Sequence, residues 1–511
     1  MPERYFQTTP IFYVNDRPHL GTAYTMIVAD ALARWHRLVG DDVLFLTGLD
    51  EHGLKIARSA EEHGVSPKEW VDQASTWFLR AWADLGITQD DFIRTTDERH
   101  TTSVAKFVQA IFDNGFIYTG DYAGWYCVSC ENYYVESDLL EGGLCPIHET
   151  PAEWVTEENY FFAHSKFEEQ LTRWYERNPT AVLPESRRNE ALGLIRQGLS
   201  DFSISRTSFD WGIPVPWDDR HVFYVWFEAL MNYTSAVGYG TNQEHFDRWW
   251  PAAHHLIGKD IVKFHCVWWP AMCMAAGIEP PAGIVAHGFL LVGGKKMGKS
   301  QANHVDPVEL AGDVGLDPLR YHLLRDVTLG LDGDFTYEGL IERYNADLAN
   351  NLGNLLQRVS TLVDQKCGGI GPKPSGETQM RTAVELEIPD IKAEWAATRP
   401  YAALARTWTL IGAANAALEV AEPWKLEPGP QVDAVLGDAL EVLRIVAVLA
   451  SPAIPASSAA IWRRIGLSGE PDANGAAGPD GVLSWGGYPG GLPVERTDPL
   501  FPRRRLEEAV G

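Results

Sequence analysis

The sequence of 511 residues predicts an α/β fold built on a parallel sheet, followed by a largely helical C-terminal part. Three observations predict this architecture. A strand, a turn, an amphipathic helix and a second strand follow one another between Tyr5 and Leu46, which is a βαβ unit. Strand-like and helical segments alternate again between Val222 and Val292. Beyond Asp317-Pro318, apolar residues recur mainly at helical spacing.

Composition limits the class of protein before any motif is considered. Apolar residues make up 45% and charged residues 22% of the chain, which is typical of a soluble globular protein. The net charge of −26 argues against a general nucleic-acid coating protein, although an acidic body can carry a local basic surface. No signal peptide is recognised, and no apolar run approaches the roughly 18 residues that span a bilayer. The sequence therefore predicts a cytoplasmic protein without a membrane segment.

The first βαβ unit can be followed residue by residue. Tyr5 to Val14 is rich in aromatic and β-branched residues and predicts a strand, and 15–18 predicts a turn. His19-Leu20-Gly21-Thr22 opens a helical pattern, and Asp42 to Leu46 predicts the next strand. One face of the helix is apolar, through Ile27, Ala31, Trp35 and Leu38. In such units ligands bind at the carboxyl ends of the strands.

Cysteines cluster in the middle of the chain. After helical patterns from about Pro67 to Phe116, the sequence changes to aromatic residues and short turns. Four metal-ligand residues follow in two close pairs, Cys127-x2-Cys130 and Cys145-x2-His148. Three thiolates and an imidazole at this spacing can close a tetrahedral zinc site with no open position. The spacing predicts one structural zinc ion per chain.

The remaining elements complete the alternation. We predict a strand at Val222–Trp226, the end of a strand at His255–Asp260 and an aromatic helix at Phe264–Met274. The stretch Ile284–Val292 then leads into a segment rich in glycine and lysine. In the C-terminal part we predict helices over Tyr344–Val359, Pro400–Ala421 and Val432–Ala450. The tail from about Leu467 is rich in Gly and Pro and predicts an irregular segment packed on the surface.

The stretch GGKKMGKS, Gly293–Ser300, allows two interpretations. It matches the P-loop pattern letter for letter. A P-loop requires a helix to follow directly, but Pro307 disfavours helix at Asp306 and no apolar periodicity begins before Val308. No convincing acidic partner for magnesium follows a fully apolar strand either. The other interpretation is a loop whose lysines act on a phosphate already held at His19-Leu20-Gly21-Thr22, and the sequence favours it.

Together these motifs resemble the class I aminoacyl-tRNA synthetases, and among them the bacterial methionyl-tRNA synthetases. The stretch Lys296-Met297-Gly298-Lys299-Ser300 is one letter from that class's KMSKS loop. The likeness covers nearly the whole chain, through TTPIFYVNDRPHLG, LTGLDEHG, WYCVSC…CPIH, SISRTSFDWGIPVP, YVWFEAL, IGKDIVKFH, AHGFLLVGGKKMGKS, RYNADLANNLGNLLQR and EPWKL. The resemblance implies a Rossmann-like parallel-sheet catalytic domain, an inserted zinc-knuckle connective domain and a C-terminal α-helical anticodon-binding domain.

The resemblance also implies domain boundaries. These are the first half of the catalytic domain at 1–116, the connective insertion at 117–215, the second half of the catalytic domain at 216–302, a stem-contact region at 303–343, the anticodon-binding domain at 344–466 and the tail at 467–511. The family's appended C-terminal RNA-binding and dimerising domain has no counterpart here, which implies a monomer.

The family activates methionine with ATP and Mg²⁺ and transfers it to tRNA(Met), including initiator tRNA. Matching positions imply phosphate and adenine contacts from His19, Gly21 and Thr22, and from the loop residues Lys296, Met297, Lys299 and Ser300. Asp260 resembles the residue near the nucleotide ribose. Positioned donors stabilise the charge that develops at the α-phosphorus, so the methionine carboxylate attacks without a covalent enzyme intermediate.

Two further residue sets come from the resemblance. It implies a methionine pocket in which Ile11 and Asp50 bind the ammonium group and aromatic walls suit a polarisable sulfur. The residues that would surround the thioether are Tyr13, Trp226, Ala229, Tyr233 and His287. For the anticodon, it implies reading by Asn354, Arg358 and Trp424, because unpaired bases stack on aromatic rings and bond to amide and guanidinium groups.

Two departures from the family pattern keep alternatives open. Thr22 stands where the family usually has histidine, and Gly298 where it usually has serine. A hydroxyl can still donate a hydrogen bond at position 22, but it carries no charge. A paralogue that adenylates methionine or an analogue for another acceptor is therefore the alternative function. A zinc-bearing RNA-binding protein with an inactive site is a third, non-enzymatic hypothesis.

Overall fold

The fold is described from a computed structural model of the chain. The structure describes residues 2–14, 16–128, 132–134, 136–147, 149–207, 209–297, 304–376, 378–472 and 481–506. Strands and helices alternate in the first two thirds of this chain, and helices dominate the last third. Among the described residues, no helix has the length and apolar character needed to cross a membrane.

The strands are short except in three places. In chain order they are β1 (Arg4–Thr8), β2 (Phe12–Tyr13), β3 (Asp42–Asp50), β4 (Asp91–Arg94), β5 (Ile117–Cys127), β6 (Asn132–Tyr134), β7 (Glu153–Phe162), β8 (Val182–Leu183), β9 (Phe202–Ser203), β10 (Ser205–Arg206), β11 (Pro214–Val215), β12 (Asp218–Phe223), β13 (Ala253–Gly258), β14 (Gly283–His287), β15 (Leu290–Val292), β16 (Lys295–Lys296), β17 (Gly333–Phe335), β18 (Ile370–Gly371) and β19 (Leu492–Pro493).

The helices are longest near the start and in the C-terminal part. They are α1 (Leu20–Leu38), α2 (Leu54–Glu62), α3 (Pro67–Asp84), α4 (Glu98–Asp113), α5 (Glu168–Arg177), α6 (Glu185–Arg196), α7 (Val225–Ala229), α8 (Asn232–Ala236), α9 (Gln243–Trp249), α10 (Trp269–Ala276), α11 (Pro307–Val314), α12 (Leu316–Asp326), α13 (Tyr337–Arg343), α14 (Asn354–Cys367), α15 (Gln379–Ala396), α16 (Pro400–Ala421), α17 (Pro430–Ala450) and α18 (Pro455–Arg464). Two π-helical segments, Phe264–Trp268 and Tyr344–Gly353, lead into α10 and α14.

The chain forms two compact units, which we describe separately. The sheet unit comprises residues 5–18 and 44–287, and the helical unit comprises 1–4, 19–43 and 288–511. This division differs from the six predicted domains, because α1 is grouped with the C-terminal helices instead of with the strands that flank it in sequence. The six domain boundaries remain predictions.

A seven-stranded sheet forms the centre of the sheet unit. Its order is β2-β3-β1-β13-β14-β8, with β4 paired to β3. The strand pairs β1–β13, β13–β14, β14–β8, β2–β3 and β3–β4 are parallel, as the βαβ pattern predicts. Strand β3 ends in residues that are buried throughout, Phe45 to Asp50, as expected for a strand covered on both faces. The carboxyl ends of β2, β3, β13 and β14 therefore open at one edge of the sheet.

Two strand predictions need correction in this unit. The strand-like run Tyr5–Val14 is divided into β1 and β2 around Pro10, which has no N–H to donate to a ladder. Val222–Trp226 is not a strand to its end: β12 stops at Phe223, and Trp226 lies in α7. A short apolar run does not distinguish strand from buried helix by its periodicity. Strand β4 was not predicted at all, because it lies in a region whose pattern reads as helical.

The insertion after α4 is an antiparallel sheet of order β6-β5-β7-β9. Strands β5 and β7 pair over ten consecutive residues, from Ile117 opposite Phe162 to Tyr126 opposite Glu153. The sheet therefore begins where the sequence changes to aromatic residues, near Tyr118, and it carries Cys127 at the end of β5.

In the helical unit, α1 packs through buried groups on the helices that come later in the chain. The Asp30 carboxylate accepts from Arg34 Nε and from Arg320 Nη2, each at 2.7 Å. Trp35 stacks on Trp395 with ring centroids 5.2 Å apart. Helix α15 was not predicted, because Pro389 lies inside it and interrupts the helical pattern. Helices α16 and α17 match the predicted ranges closely.

Candidate functional site

The amino end of α1 is shaped by His19. Its side-chain Nδ1 accepts from the backbone N–H groups of Gly21 and Thr22, at 3.0 and 3.3 Å, so His19 is the N-cap. An acceptor Nδ1 carries no proton, so the neutral ring has its proton on Nε2. The first turn of this helix carries no acidic residue. The helix dipole and the Nε2–H together therefore suit an anion such as a phosphate.

The other two residues of this motif have different roles. Thr22 donates its hydroxyl to the His19 carbonyl at 2.6 Å, so in this structure it stabilises the helix start instead of pointing to a ligand. Gly21 sits in a tight place: an added Cβ would lie 2.9 Å from His19 Cε1 and 3.1 Å from Met297 Cε. Met297 is buried and covers this glycine. A flat ring at Gly21 would thus meet the Met297 side chain.

The GGKKMGKS stretch begins as a β-hairpin. Strands β15 and β16 pair antiparallel, with Val292 opposite Lys295, and Gly293 and Gly294 form the two-residue turn at φ 61° and 74°. Two positive φ angles define a type I′ turn, which favours glycine. Helix α11 starts at Pro307, with Asp306 as its N-cap. These features do not match a P-loop. The backbone of Lys296 lies in β16, whereas Gly298, Lys299 and Ser300 lie outside the described residues.

In the sheet unit, three predicted pocket residues meet at the ends of β2 and β3. Tyr13 lies opposite Asp50 in the parallel ladder. Ile11 reaches the same place, because its Cγ2 is 3.0 Å from the position of a Cβ on Gly48. Asp50 is 2% exposed, and the Tyr13 hydroxyl donates to the His52 carbonyl at 3.1 Å. The structure therefore brings Ile11, Tyr13 and Asp50 together.

Aromatic rings from α7, α8 and the π-helical segment pack next to one another. Trp226 stacks on Phe264 with centroids 4.4 Å apart and planes at 8°. The Tyr233 hydroxyl lies 2.8 Å from His265 Nε2. Since His265 Nδ1 bonds to the Ile261 carbonyl at 3.1 Å, it is the donor nitrogen, and Nε2 accepts from Tyr233. The Tyr233 hydroxyl is used within the protein, so its ring is what it can offer a ligand.

A second histidine packs against the ring of Tyr233. The ring of His255 stacks on Tyr233 at 4.1 Å. Trp269 Nε1 donates to His255 Nε2 at 3.2 Å, so His255 Nδ1 carries the proton and donates to the Thr8 hydroxyl at 2.8 Å. Burial lowers the pKa of His255 well below its ordinary value, and burial lowers the pKa of His265 to about 4. Both rings are neutral at physiological pH.

The remaining predicted residues of this unit lie nearby in the fold. Ala229 is buried at the end of α7, and its carbonyl accepts from Asn232 Nδ2 at 2.7 Å. Asp260 follows β13, and a Cβ on Gly258 would lie 2.6 Å from its Oδ1. His287 pairs with Gly258 at the ends of β14 and β13. The structure thus places His287 next to the Asp260 segment, whereas the Tyr233 hydroxyl contacts His265.

Half of the predicted zinc site is described. Cys127 and Cys145 are fully buried and form no disulfide. The Ile147 N–H donates to Cys145 Sγ at 3.4 Å, a contact that suits a thiolate. Cys130 and His148 lie outside the described residues. In the part of the chain that is described, no group of three or more His, Cys, Asp or Glu side chains is arranged so that it could hold a metal ion.

The predicted anticodon residues lie on the surface of the helical unit. Asn354 is exposed at the start of α14, and Arg358 follows one turn later. The Arg358 guanidinium lies 5.3 Å from the Trp424 ring centroid and its Nη2 lies 2.8 Å from Glu419 Oε1. Trp424 is 38% exposed. The structure therefore brings Arg358 and Trp424 together, and it adds Glu419, which the sequence analysis did not identify.

Several residues that support the aromatic rings of α7 and α8 are not among the predicted site residues. His265 bonds to Tyr233, Phe264 stacks on Trp226, and Glu228 bonds to His52 and His100. His265 and Phe264 lie in a predicted aromatic helix, but their contacts with α7 and α8 span more than thirty residues. Only the tertiary structure reveals such pairings.

Comparisons with known proteins agree with this geometry. The family model described as "tRNA synthetases class I (M)" matches residues 5–152 and 135–360. The methionine–tRNA ligase of Streptomyces coelicolor is 44% identical, over 99% of this chain and 97% of its own length. That of Thermotoga maritima is 41% identical, over 98% of this chain and 80% of its own length. The Mycobacterium tuberculosis methionyl-tRNA synthetase in complex with methionyl-adenylate superimposes with a TM-score of 0.92 at 39% identity, covering 98% of this chain and 100% of that structure.

A Rossmann-like domain with a parallel sheet and a helical C-terminal region is the architecture of a class I aminoacyl-tRNA synthetase. The family match and the full-length relatives place the chain within this class without ambiguity. The chain belongs to the methionyl-tRNA synthetase family.

Proposed function

We propose that this protein is a methionine–tRNA ligase. It activates L-methionine with ATP to methionyl-adenylate, releases pyrophosphate and transfers the methionine to tRNA(Met), including initiator tRNA. The observation that carries the proposal is similarity along the whole chain: relatives that are 41–44% identical over at least 98% of it are methionine–tRNA ligases. This role places the protein in the cytoplasm, where tRNA is charged, and we propose that it acts as a monomer.

We assign ATP binding to the start of α1 and the lysine-bearing loop. His19 Nε2–H and the backbone of the first turn donate to phosphate oxygens, and Gly21 leaves room for the adenine ring. Lys296 and Lys299 donate to phosphate oxygens while negative charge develops around the α-phosphorus. Met297 and Ser300 belong to the same ATP-binding loop. Mg²⁺ enters with ATP, and Asp260 contacts the ribose. Preorganised donors of this kind lower the barrier without a covalent intermediate.

We assign methionine binding to the edge of the sheet. The Asp50 carboxylate and the Ile11 backbone bind the substrate ammonium group. The thioether lies among Tyr13, the stacked Trp226, Ala229 and Tyr233, and His287 closes the set. Each sulfur–aromatic contact contributes about 0.3–1.5 kcal/mol. His265 fixes the Tyr233 ring by accepting a hydrogen bond from its hydroxyl.

We assign a structural role to zinc and an anticodon role to the C-terminal helices. Cys127, Cys130, Cys145 and His148 would hold one zinc ion in the insertion, and the buried, reduced state of the two described cysteines supports this. Asn354, Arg358 and Trp424 would bind anticodon bases by hydrogen bonding and stacking. The six predicted domains stand with these assignments as part of the proposal.

The departures at Thr22 and Gly298 do not favour the alternative paralogue. The Thr22 hydroxyl stabilises the helix start at which we propose that His19 binds phosphate, which supports a functional site with threonine at this position. The test is methionine-dependent ATP–pyrophosphate exchange across a panel of amino acids, followed by charging of tRNA(Met). Exchange with methionine alone and charging of the tRNA are expected. Exchange without charging would establish the paralogue, and absence of any exchange would contradict an enzymatic role.

A further inference from the structure

A buried carboxylate in the sheet unit bonds to two histidines that the proposed chemistry does not use. Glu228 is fully buried in α7. Its Oε1 lies 2.8 Å from His52 Nδ1, and its Oε2 lies 2.8 Å from His100 Nε2. His100 is also fully buried, and His52 is 6% exposed. A carboxylate is retained inside a protein only where hydrogen bonds and charge offset its desolvation.

The hydrogen bonds have a defined direction. An ionised carboxylate only accepts, so both imidazoles donate to Glu228. The other ring nitrogen of His100, Nδ1, is buried and makes no hydrogen bond to any described residue. His100 Nε2 is therefore the nitrogen that donates to Glu228. Burial raises the pKa of Glu228, but the charge of His52, the hydrogen bonds from His100 and His52 and the charge of His100 outweigh it, so the pKa is lowered.

The cluster joins the two chain segments that carry the proposed methionine pocket. Glu228 lies between Trp226 and Ala229 in α7. His52 lies two residues after Asp50, and its carbonyl accepts from the Tyr13 hydroxyl at 3.1 Å. Glu228 therefore links the aromatic wall on α7 with the segment that holds the carboxylate for the substrate ammonium.

The 50–53 segment is also fixed on its other side. Trp211 Nε1 donates to the Glu51 carbonyl at 2.7 Å, and Arg94 Nε lies 2.6 Å from Glu51 Oε1. The Glu51 N–H donates to the Thr95 hydroxyl at 3.0 Å. With its far side tied to β4 and Trp211, the position of this segment relative to α7 depends on the Glu228 bonds.

We infer that Glu228, with His52 and His100, is a positioning residue for methionine: it holds α7 and the Asp50 segment at the separation that the amino acid requires. This inference rests on the proposed function, because it concerns the same pocket. Glu228 contacts neither reacting group. Its loss should therefore weaken methionine binding more than it slows the reaction of bound substrates.

The test compares Glu228→Gln with wild type in methionine-dependent pyrophosphate exchange. Glutamine preserves the volume but cannot accept from two ring N–H groups at once, so one histidine must change its tautomer. The KM for methionine should rise about tenfold or more, because small displacements of positioning groups are costly. The KM for ATP and the kcat should change much less. Glu228→Asp, which keeps the charge, should restore part of the methionine affinity.

Glu441→Gln is the matched control in the helical unit. Glu441 is also fully buried and accepts from Arg444 and from the backbone N–H groups of Gly486, Gly487 and Tyr488. It should lower the Tm without raising the KM for methionine. The inference is wrong if Glu228→Gln lowers the Tm like this control but leaves the KM for methionine unchanged.

Two further readouts separate the remaining cases. If Glu228→Gln does not fold, His100→Phe removes a single donor and should still raise the KM for methionine, by a smaller factor; an unchanged KM would overturn the inference. Wild type is run in every assay. If wild type shows no methionine-dependent exchange, the proposed function fails, whereas an active wild type with unaffected variants contradicts the positioning role alone.

Discussion

The proposed methionine pocket and the proposed anticodon surface both combine aromatic rings with charged groups, but at opposite degrees of burial. Tyr233 is 1% exposed, and its hydroxyl, its ring face and the neighbouring histidines all have partners inside the protein. Trp424 is 38% exposed, and the Arg358 guanidinium contacts its ring and the exposed Glu419. The polar groups around Tyr233 are bonded within the protein, whereas the surface consists of groups that can exchange partners.

This difference indicates two modes of recognition. A pocket whose polar atoms are already bonded offers shape and one directed charge, and it needs little rearrangement when the ligand enters. At an exposed arginine beside an exposed ring, the ligand must replace solvent or Glu419. The contribution of these residues to tRNA binding therefore depends on base stacking and on the salt concentration. Removing buried groups should therefore affect stability and methionine together, and removing exposed groups should affect tRNA alone.

The largest effect is expected for Asp50→Asn. The change removes the negative charge that would bind the substrate ammonium group. Because Asp50 is only 2% exposed, water cannot replace this charge, and transition-state stabilisation should fall by about 2–5 kcal/mol. Pyrophosphate exchange at varied methionine and ATP measures this, and the loss should appear with methionine. A loss of only a few fold would break the comparison, since Asp50 would then not be the directed charge of a preformed pocket.

The second prediction concerns acid stability. The pKa of His265 is lowered to about 4, so above pH 6.5 the ring is neutral both folded and unfolded. As the pH falls below 6.5, this histidine becomes protonated in the unfolded chain but stays neutral in the folded chain. The free energy of unfolding therefore decreases on acidification. By pH 4 the loss from this residue should be about 3 kcal/mol. Urea unfolding of wild type and His265→Gln at several pH values should give curves that converge in acid; parallel curves would contradict the buried neutral ring.

Trp424→Ala should affect tRNA alone. Loss of one stacked base should cost about 1–3 kcal/mol in the efficiency of tRNA charging, with pyrophosphate exchange unchanged. Trp154→Ala is the matched control, because Trp154 is an exposed tryptophan, 58% exposed, in the sheet unit. Equal losses in both variants, or a loss of exchange in Trp424→Ala, would remove the contrast between the two regions.

Tyr233→Phe tests whether the hydroxyl serves the fold or the ligand. The change leaves His265 Nε2 without its donor and should lower the free energy of unfolding by about 1–3 kcal/mol. The ring remains, so the KM for methionine should change far less than in Asp50→Asn. Tyr175→Phe, which removes a buried bond of 2.7 Å to the Cys266 carbonyl, provides the stability control. A large rise in the methionine KM would show that the hydroxyl acts on the substrate.

The smallest effect is expected for Gly293→Ala. A Cβ there has open space and meets only the strain of φ 61°, about 1 kcal/mol. The KM for ATP should not change, whereas Gly21→Ala places a Cβ 2.9 Å from His19 Cε1 and should raise it strongly. Nucleotide binding assays on both variants separate a hairpin turn from a phosphate-binding P-loop, for which Gly293 would be essential.

Much of the fold could be predicted because its signals are local. The βαβ pattern of the first fifty residues predicts a parallel sheet, and the structure confirms it. The predicted range of helix α16 agrees with the structure at both ends. Elements were missed where the local signal conflicts with the final structure. Pro389 interrupts the helical pattern of α15, and β4 lies in a region whose pattern is typical of helices. Trp226 lies at the end of a strand-like run, but in the structure it belongs to α7.

The sequence by itself determined the family and the residue types at its motifs, because His19-Leu20-Gly21-Thr22 and the lysine loop are contiguous stretches. Only the tertiary structure decided what each side chain does. The Thr22 hydroxyl stabilises its own helix, the first two glycines of GGKKMGKS form a hairpin turn, and Glu228 bonds to histidines far away in the chain. The physical reason is that a hydrogen bond depends on distance and direction, which spacing along the chain does not specify for residues brought together by folding.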